Sequence, residues 1–188
     1  MSSFASRIAL FIDGPNLEAT SKALGFHIDY RRLLGEFRTI GTVVRAFYYT
    51  PISDDPEHRS ASARADWLSY NGYTVVAKRA TEFSDGPGHR GIKCRIEIDL
   101  AVQAMEICPH VDEIMLFSGN GKFRALVEAI QRRGVRVTAV STMASRTPMI
   151  ADDLRRQVDA FLDLVRLQQR LSHMPVAATD AEVLQYVE

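Results

Sequence analysis

Arg7-Ile8-Ala9-Leu10-Phe11-Ile12-Asp13-Gly14-Pro15-Asn16-Leu17 decides how the rest of the chain is read. Ile8 to Ile12 is an uninterrupted apolar run without polar alternation, which suits a strand covered on both faces. It stops at Asp13-Gly14-Pro15-Asn16, a turn-forming group, and the spacing from Asn16 to Leu24 is helical. A doubly covered strand that hands over to a helix is the opening unit of a parallel α/β sheet.

The same alternation continues outward. Val43 to Tyr49, Thr74 to Ala77, Glu113 to Phe117 and Val135 to Val140 are further strand-like runs. Between them, Tyr30–Phe37, Arg59–Tyr70, Ile98–Ile107 and Phe123–Arg133 have helical spacing, and Gly41, Gly72 and Gly134 mark where helices give way to strands. The expected architecture is a three-layer α/β/α sandwich around a five-stranded, mainly parallel sheet, occupying residues 1–171. Thr81 to Gly91 interrupts the pattern with Ser84-Asp85-Gly86-Pro87-Gly88 and reads as a hairpin or a loop. Ile150 to Leu171 has apolar residues at helical spacing and is expected to be one closing helix. In 172–188 a linker with Pro175 leads to Thr179-Asp180-Ala181-Glu182, a capping-box pattern opening a short helix. So short a helix is marginal alone; it docks on its own domain, docks on a neighbouring copy in a homodimer, or frays.

Composition narrows the function classes. Lys plus Arg and Asp plus Glu each number 23, so bulk charge does not draw the chain to nucleic acid or to a membrane, and binding to either needs a local patch. Cys94 and Cys108 stand apart without a metal-binding spacing, as expected of free thiols in a reducing compartment. Met1 to Arg7 lacks a secretory-signal pattern and no apolar stretch is long enough to span a bilayer, so a cytoplasmic location without membrane contact is expected.

In an open parallel sheet, ligands bind beyond the carboxyl ends of the strands. Asp13-Gly14-Pro15-Asn16, Ser118-Gly119-Asn120-Gly121-Lys122 and Ser141-Thr142 all follow strands, and Glu97 and Asp99 open a helix near the same edge. Hydrolysis of a phosphodiester by hard divalent cations needs carboxylates from separate elements, which makes Asp13, Glu97 and Asp99 the candidate metal acids. An Asp at a strand end is also an ordinary turn former. Glu97 and Asp99, two residues apart, diverge by about 160° on a regular helix, so sharing one ion requires irregular backbone there. Gly14, Asn16 and the dipole of the first helix favour an anion, and the loop 118–121 is expected to offer free backbone N–H groups.

Four stretches resemble the bacterial NYN domains, relatives of the PIN-domain nucleases. They are Phe11-Ile12-Asp13-Gly14-Pro15-Asn16-Leu17, then Ile98-Asp99-Leu100-Ala101-Val102 with Ala104-Met105-Glu106, then Phe117-Ser118-Gly119-Asn120-Gly121-Lys122-Phe123 with Leu126-Val127-Glu128, and Ala139-Val140-Ser141. They run in order from Phe11 to Ser141, and the resemblance extends over roughly Arg7 to Leu167. The resemblance implies a PIN-like fold and cleavage of RNA with magnesium or manganese. Asp13 matches the first acid; Glu97 stands where aspartate is usual and Asp99 where glutamate is frequent. Three positions depart: Gln103 replaces an aspartate, and Asn120 and Lys122 replace both acids of the family's Ser-Gly-Asp-Gly-Asp-Phe motif. Cys94-Arg95 also replaces a small, polar pair.

Two readings follow. In one, Asp13, Glu97 and Asp99 hold an ion, Asn120 positions water or phosphate, and Lys122 stabilises charge on the phosphate. In the other, favoured one, the domain keeps an RNA-binding groove and has weak or lost cleavage, because an ammonium repels a dication and an amide oxygen is a poorer ligand than a carboxylate. Asn16, Lys93, Arg95, Ser118, Gly119, Lys122 and Ser141 are the expected phosphate contacts, with Arg31-Arg32, Lys78-Arg79 and His89-Arg90 as a wider basic track or an ordinary solvated face. Trp67 is expected to pack in the core.

Overall fold

A computed structural model describes residues 5–52, 59–79, 81–84, 90–93 and 96–172. The chain runs β1 (Arg7–Asp13), α1 (Gly14–Ala23), α2 (Tyr30–Ile40), β2 (Thr42–Ile52), α3 (Arg59–Tyr70), β3 (Thr74–Arg79), β4 (Thr81–Ser84) and β5 (Arg90–Lys93). It continues with α4 (Ile96–Ile107), β6 (Glu113–Phe117), α5 (Arg124–Gln131), β7 (Arg136–Ser141), α6 (Asp152–Gln157), β8 (Ala160–Asp163) and α7 (Gln168–Leu171). The main sheet has the order β3-β2-β1-β6-β7-β8 with every pairing parallel. The chain therefore winds outward from β1 to β3, crosses back, and winds outward again from β6 to β8. Strand order reverses between β1 and β6, and the crevice outside that junction is where this topology places ligands.

Successive residues of β1 serve opposite faces of the sheet. Ile8, Leu10 and Ile12 pack with Leu17, Leu33, Phe37 and Leu68 of α1, α2 and α3. Ala9 and Phe11 pack with Leu100, Val127 and Leu154 of α4, α5 and α6. All five β1 residues are essentially inaccessible, which explains why their run carries no polar member. β4 and β5 form a separate antiparallel pair, so the interrupted region is a hairpin at its two arms.

The closing helix expected over Ile150–Leu171 does not form, and the sheet has six strands rather than five. After α6 the backbone of Val158 is extended, and Asp159 pairs with Val137 through both its N–H and its carboxylate. Ala160–Asp163 then lies parallel to β7. Phe161 packs against one core and its neighbour Leu162 against the other, the two-residue period of a strand. Val158 and Leu162, which share a stripe when placed on one helix, end up on opposite sides of the sheet. Trp67 is also displaced from its expected place. α3 buries Ala65 and Leu68, leaving Trp67 39% exposed beneath the Arg31 guanidinium at 5.2 Å. The end of the domain is tied back by Asp29 N–H donating to the Leu171 carbonyl at 2.8 Å. Arg95, Cys94 and the helix expected from Thr179 lie outside the described residues; Cys108 is a free, buried thiol. No helix among the described residues is long and apolar enough to cross a membrane.

The helix-ending glycines divide by cause. Gly72 and Gly134 have φ of 89° and 78°, as at many helix ends. Gly41 is extended; a Cβ there would meet Ile8 Cδ1 and the Ser6 carbonyl at 2.5 Å. Gly35, inside α2, has nothing within 4 Å. Denaturant unfolding is expected to show Gly35→Ala more stable by about 0.5–1 kcal/mol and Gly41→Ala less stable by about 1–3 kcal/mol.

Candidate functional site

The end of β1 is built around Asp13, only 6% exposed. As N-cap of α1 it accepts from the Asn16 N–H on Oδ1 at 3.3 Å, and on Oδ2 it accepts the Ser118 hydroxyl from the end of β6 at 2.9 Å. Ser118 Oγ accepts the Asn120 N–H at 3.2 Å, Asn16 Oδ1 accepts the Gly119 N–H at 3.0 Å, and Asn120 Oδ1 accepts the Lys122 N–H at 3.1 Å. A closed set of hydrogen bonds thus stitches the two strand ends together across the switch point. It also corrects the expectation of free backbone donors in 118–121: the N–H groups of Gly119 and Asn120 are already engaged by side chains.

Gly119 fixes the loop from the other side. A Cβ there would lie 1.7 Å from the Met149 carbonyl oxygen, and the Gly119 carbonyl accepts the Ala151 N–H at 2.9 Å. Ser141, buried at the end of β7, donates to the same Met149 carbonyl at 3.1 Å. Ser141 and Gly119 therefore hold the 142–151 segment in place rather than presenting polar groups at the cleft.

α4 is regular from Ile96 onward, so its two acids part as helix geometry requires. Glu97 turns towards β6 and pairs with Lys122 Nζ at 3.2 Å. Asp99 turns towards β3 and pairs with Lys78. Gln103, one turn on, accepts the buried Tyr49 hydroxyl at 2.6 Å, and burial with the nearby Asp99 charge holds that phenol protonated. Asp13 is held away from its ordinary titration. Burial pushes its carboxyl above the ordinary value of 3.8; the Ser118 and Asn16 hydrogen bonds oppose this, and the Glu97 charge adds to it.

Asp13, Asn16, Glu97 and Asn120 line one cleft of about 520 Å³, together with Pro15, Ala19, Pro51 and Ile96. Lys122 stands at its rim through the ion pair with Glu97, its side chain 74% exposed. Asp99 is not in that lining. Among the described residues no three His, Cys, Asp or Glu side chains assemble in a metal-holding group. Lys93 closes β5, immediately before the undescribed pair 94–95. Sequence reasoning missed Ala19 and Pro51, which carry no chemical signature, and the pairing of Lys78 with Asp99, which joins elements distant in the chain.

Over residues 7–167 the sequence matches the NYN domain family. The "Low amplitude and bright protein LabA" of Synechococcus elongatus is 34% identical over 163 residues, covering 85% of this chain and 84% of LabA. A crystal structure of a protein of unknown function from Vibrio parahaemolyticus resembles this one with a TM-score of 0.72 at 26% identity, covering 92% of this chain and 99% of that one. With the six-stranded doubly wound sheet and the Asp13–Ser118 junction at its switch point, this extent of similarity makes the chain a member of the NYN domain family.

Proposed function

We propose that this NYN domain binds RNA in the cleft between the ends of β1 and β6 and cleaves it weakly or not at all. The observation that carries the proposal is the pairing of acids with lysines: Glu97 with Lys122 and Asp99 with Lys78. Magnesium or manganese needs several carboxylate oxygens turned to one point, whereas here two of three acids face ammonium groups in different directions. The donor set does not fit such an ion. Unit charges 4 Å apart interact by about 4 kcal/mol at an effective dielectric of about 20, so a dication meets roughly twice that from a lysine at this range. Solvent around the exposed Lys122 reduces the repulsion without changing its sign.

The same groups suit a phosphate that arrives without a metal. Asn16 and Asn120 each use Oδ1 to accept a backbone N–H, which fixes the amide orientation and leaves Nδ2 as a donor in the cleft lining. Lys122 adds a cation at the rim. RNA as the ligand class rests on the NYN family membership, and a cytoplasmic setting goes with it.

Three outcomes are expected. In a gel assay with manganese, the wild-type chain leaves RNA as intact as Asp13→Ala does, while a band shift reports binding; manganese-dependent cleavage lost in Asp13→Asn would establish the hydrolytic reading with Asp13, Glu97 and Asp99 instead. Restoring carboxylates with Asn120→Asp and Lys122→Asp together is expected to raise manganese affinity by at least about tenfold in titration calorimetry, and unchanged heats would defeat the charge argument. The third outcome concerns pH. Because the folded-state pKa of Asp13 lies above 3.8, its ionised form weakens the fold at neutral pH, and that cost disappears as pH falls through the folded value. Asp13→Asn therefore has a melting temperature advantage at pH 7 that shrinks towards pH 3.8, and its RNA affinity rises less on acidification than that of the wild type.

A further inference from the structure

α1 borders two concavities. Pro15, Asn16 and Ala19 face the cleft described above, whereas Glu18 and Lys22 line a separate cavity of about 600 Å³, closed by Phe26, His27 and Tyr30 and entered by Arg64 from α3. Inside it, Arg64 Nη1 pairs with Glu18 Oε1. The Tyr48 hydroxyl donates to that same oxygen at 2.6 Å, with the Tyr30 hydroxyl 3.4 Å behind it. Both tyrosines are buried and stay protonated, their pKa values raised mainly by burial. Glu18 Oε2 has no protein partner among the described residues. The guanidinium engages Glu18 and reaches the Tyr48 hydroxyl, and an arginine has five N–H donors.

A carboxylate and a guanidinium fixed side by side, braced from behind by two tyrosine hydroxyls and flanked by aromatic rings, form a preorganised acceptor–donor edge. The volume falls within the roughly 300–1,000 Å³ usual for small-ligand sites. We propose that this cavity is a binding site for a nucleobase with a lactam edge, guanine or uracil. The ring N–H donates to Glu18 Oε2 and the adjacent carbonyl accepts from Arg64. Adenine and cytosine present a lone pair where the N–H should be, and it faces the carboxylate unfavourably. Phe26 and Tyr30 supply apolar ring surface, and Lys22 and His27 lie where a nucleotide phosphate can be met. The proposal does not depend on the RNA cleft, since none of these residues lines it.

Titration calorimetry with GMP, UMP, AMP and CMP, and with oligouridylate and oligoadenylate, tests it. GMP or UMP is expected to bind at least about tenfold tighter than AMP or CMP, and Glu18→Gln is expected to remove at least about tenfold of that affinity, the size expected for a charged hydrogen bond. Arg132→Ala, exposed at the end of α5 and lining neither cavity, should leave it unchanged. Binding of the mononucleotides identifies a free nucleotide as the ligand; preference for oligouridylate over oligoadenylate with silent mononucleotides identifies a base of an RNA strand. If Glu18→Gln fails to fold, amide shifts in the wild-type chain decide, with movement expected at Phe26, His27 and Ile28. Absence of binding by GMP, UMP and oligouridylate, equal binding of all four nucleotides, or shifts confined to Asn16 and Asn120 would overturn the proposal.

Discussion

The fold's two windings meet at a single buried carboxylate. Asp13 ends β1, caps α1 and receives the Ser118 hydroxyl from the end of β6. Parallel strands at a switch point diverge into opposite crossovers, so nothing in the sheet's own hydrogen bonding holds their ends together beyond Ile12 and Phe117. A charged acceptor with two donors does that, at the cost of desolvating the charge. Gly14 allows it: a Cβ there would press on the Tyr48 ring and the Tyr49 carbonyl at 2.7 Å.

From that anchor the polar chain passes outward through Asn16, Ser118, Asn120 and Lys122, each group satisfied by the next. Buried networks of this kind are costly when incomplete and rigid when complete. Here side chains and backbone engage the Oδ1 atoms of Asn16 and Asn120 and the Ser118 hydroxyl, while the two amide Nδ2 groups stay available at the cleft. The charges beside it are balanced internally, Glu97 against Lys122 and Asp99 against Lys78.

Much of this was legible in the sequence. The apolar run of β1, its abrupt end at Asp13 and the spacing of the later strands follow from local pattern, and Gln103, Asn120 and Lys122 stood out as departures. The divergence of Glu97 and Asp99 was conditional on helix regularity, which only the fold decides. β8 was hidden because Leu154, Phe161 and Leu162 mimic a helical stripe until the break at Val158–Asp159, and that break depends on pairing with Val137. Trp67 misled through size: a ring large enough to dominate a core lies instead one position off the buried stripe defined by Ala65 and Leu68. The engaged N–H groups of the 118–122 loop could not be inferred, because their acceptors include Asn16, 103 positions away from Gly119.

The contact between Gly119 and the Met149 carbonyl has a mechanical consequence. With no space for even one carbon atom between them, and the Ala151 N–H bonded to the Gly119 carbonyl, the loop after β6 and the segment before α6 interlock so closely that any side chain at 119 would force them apart. That wall of the cleft is packed backbone against backbone, whereas the facing wall presents Glu97 on the first turn of α4.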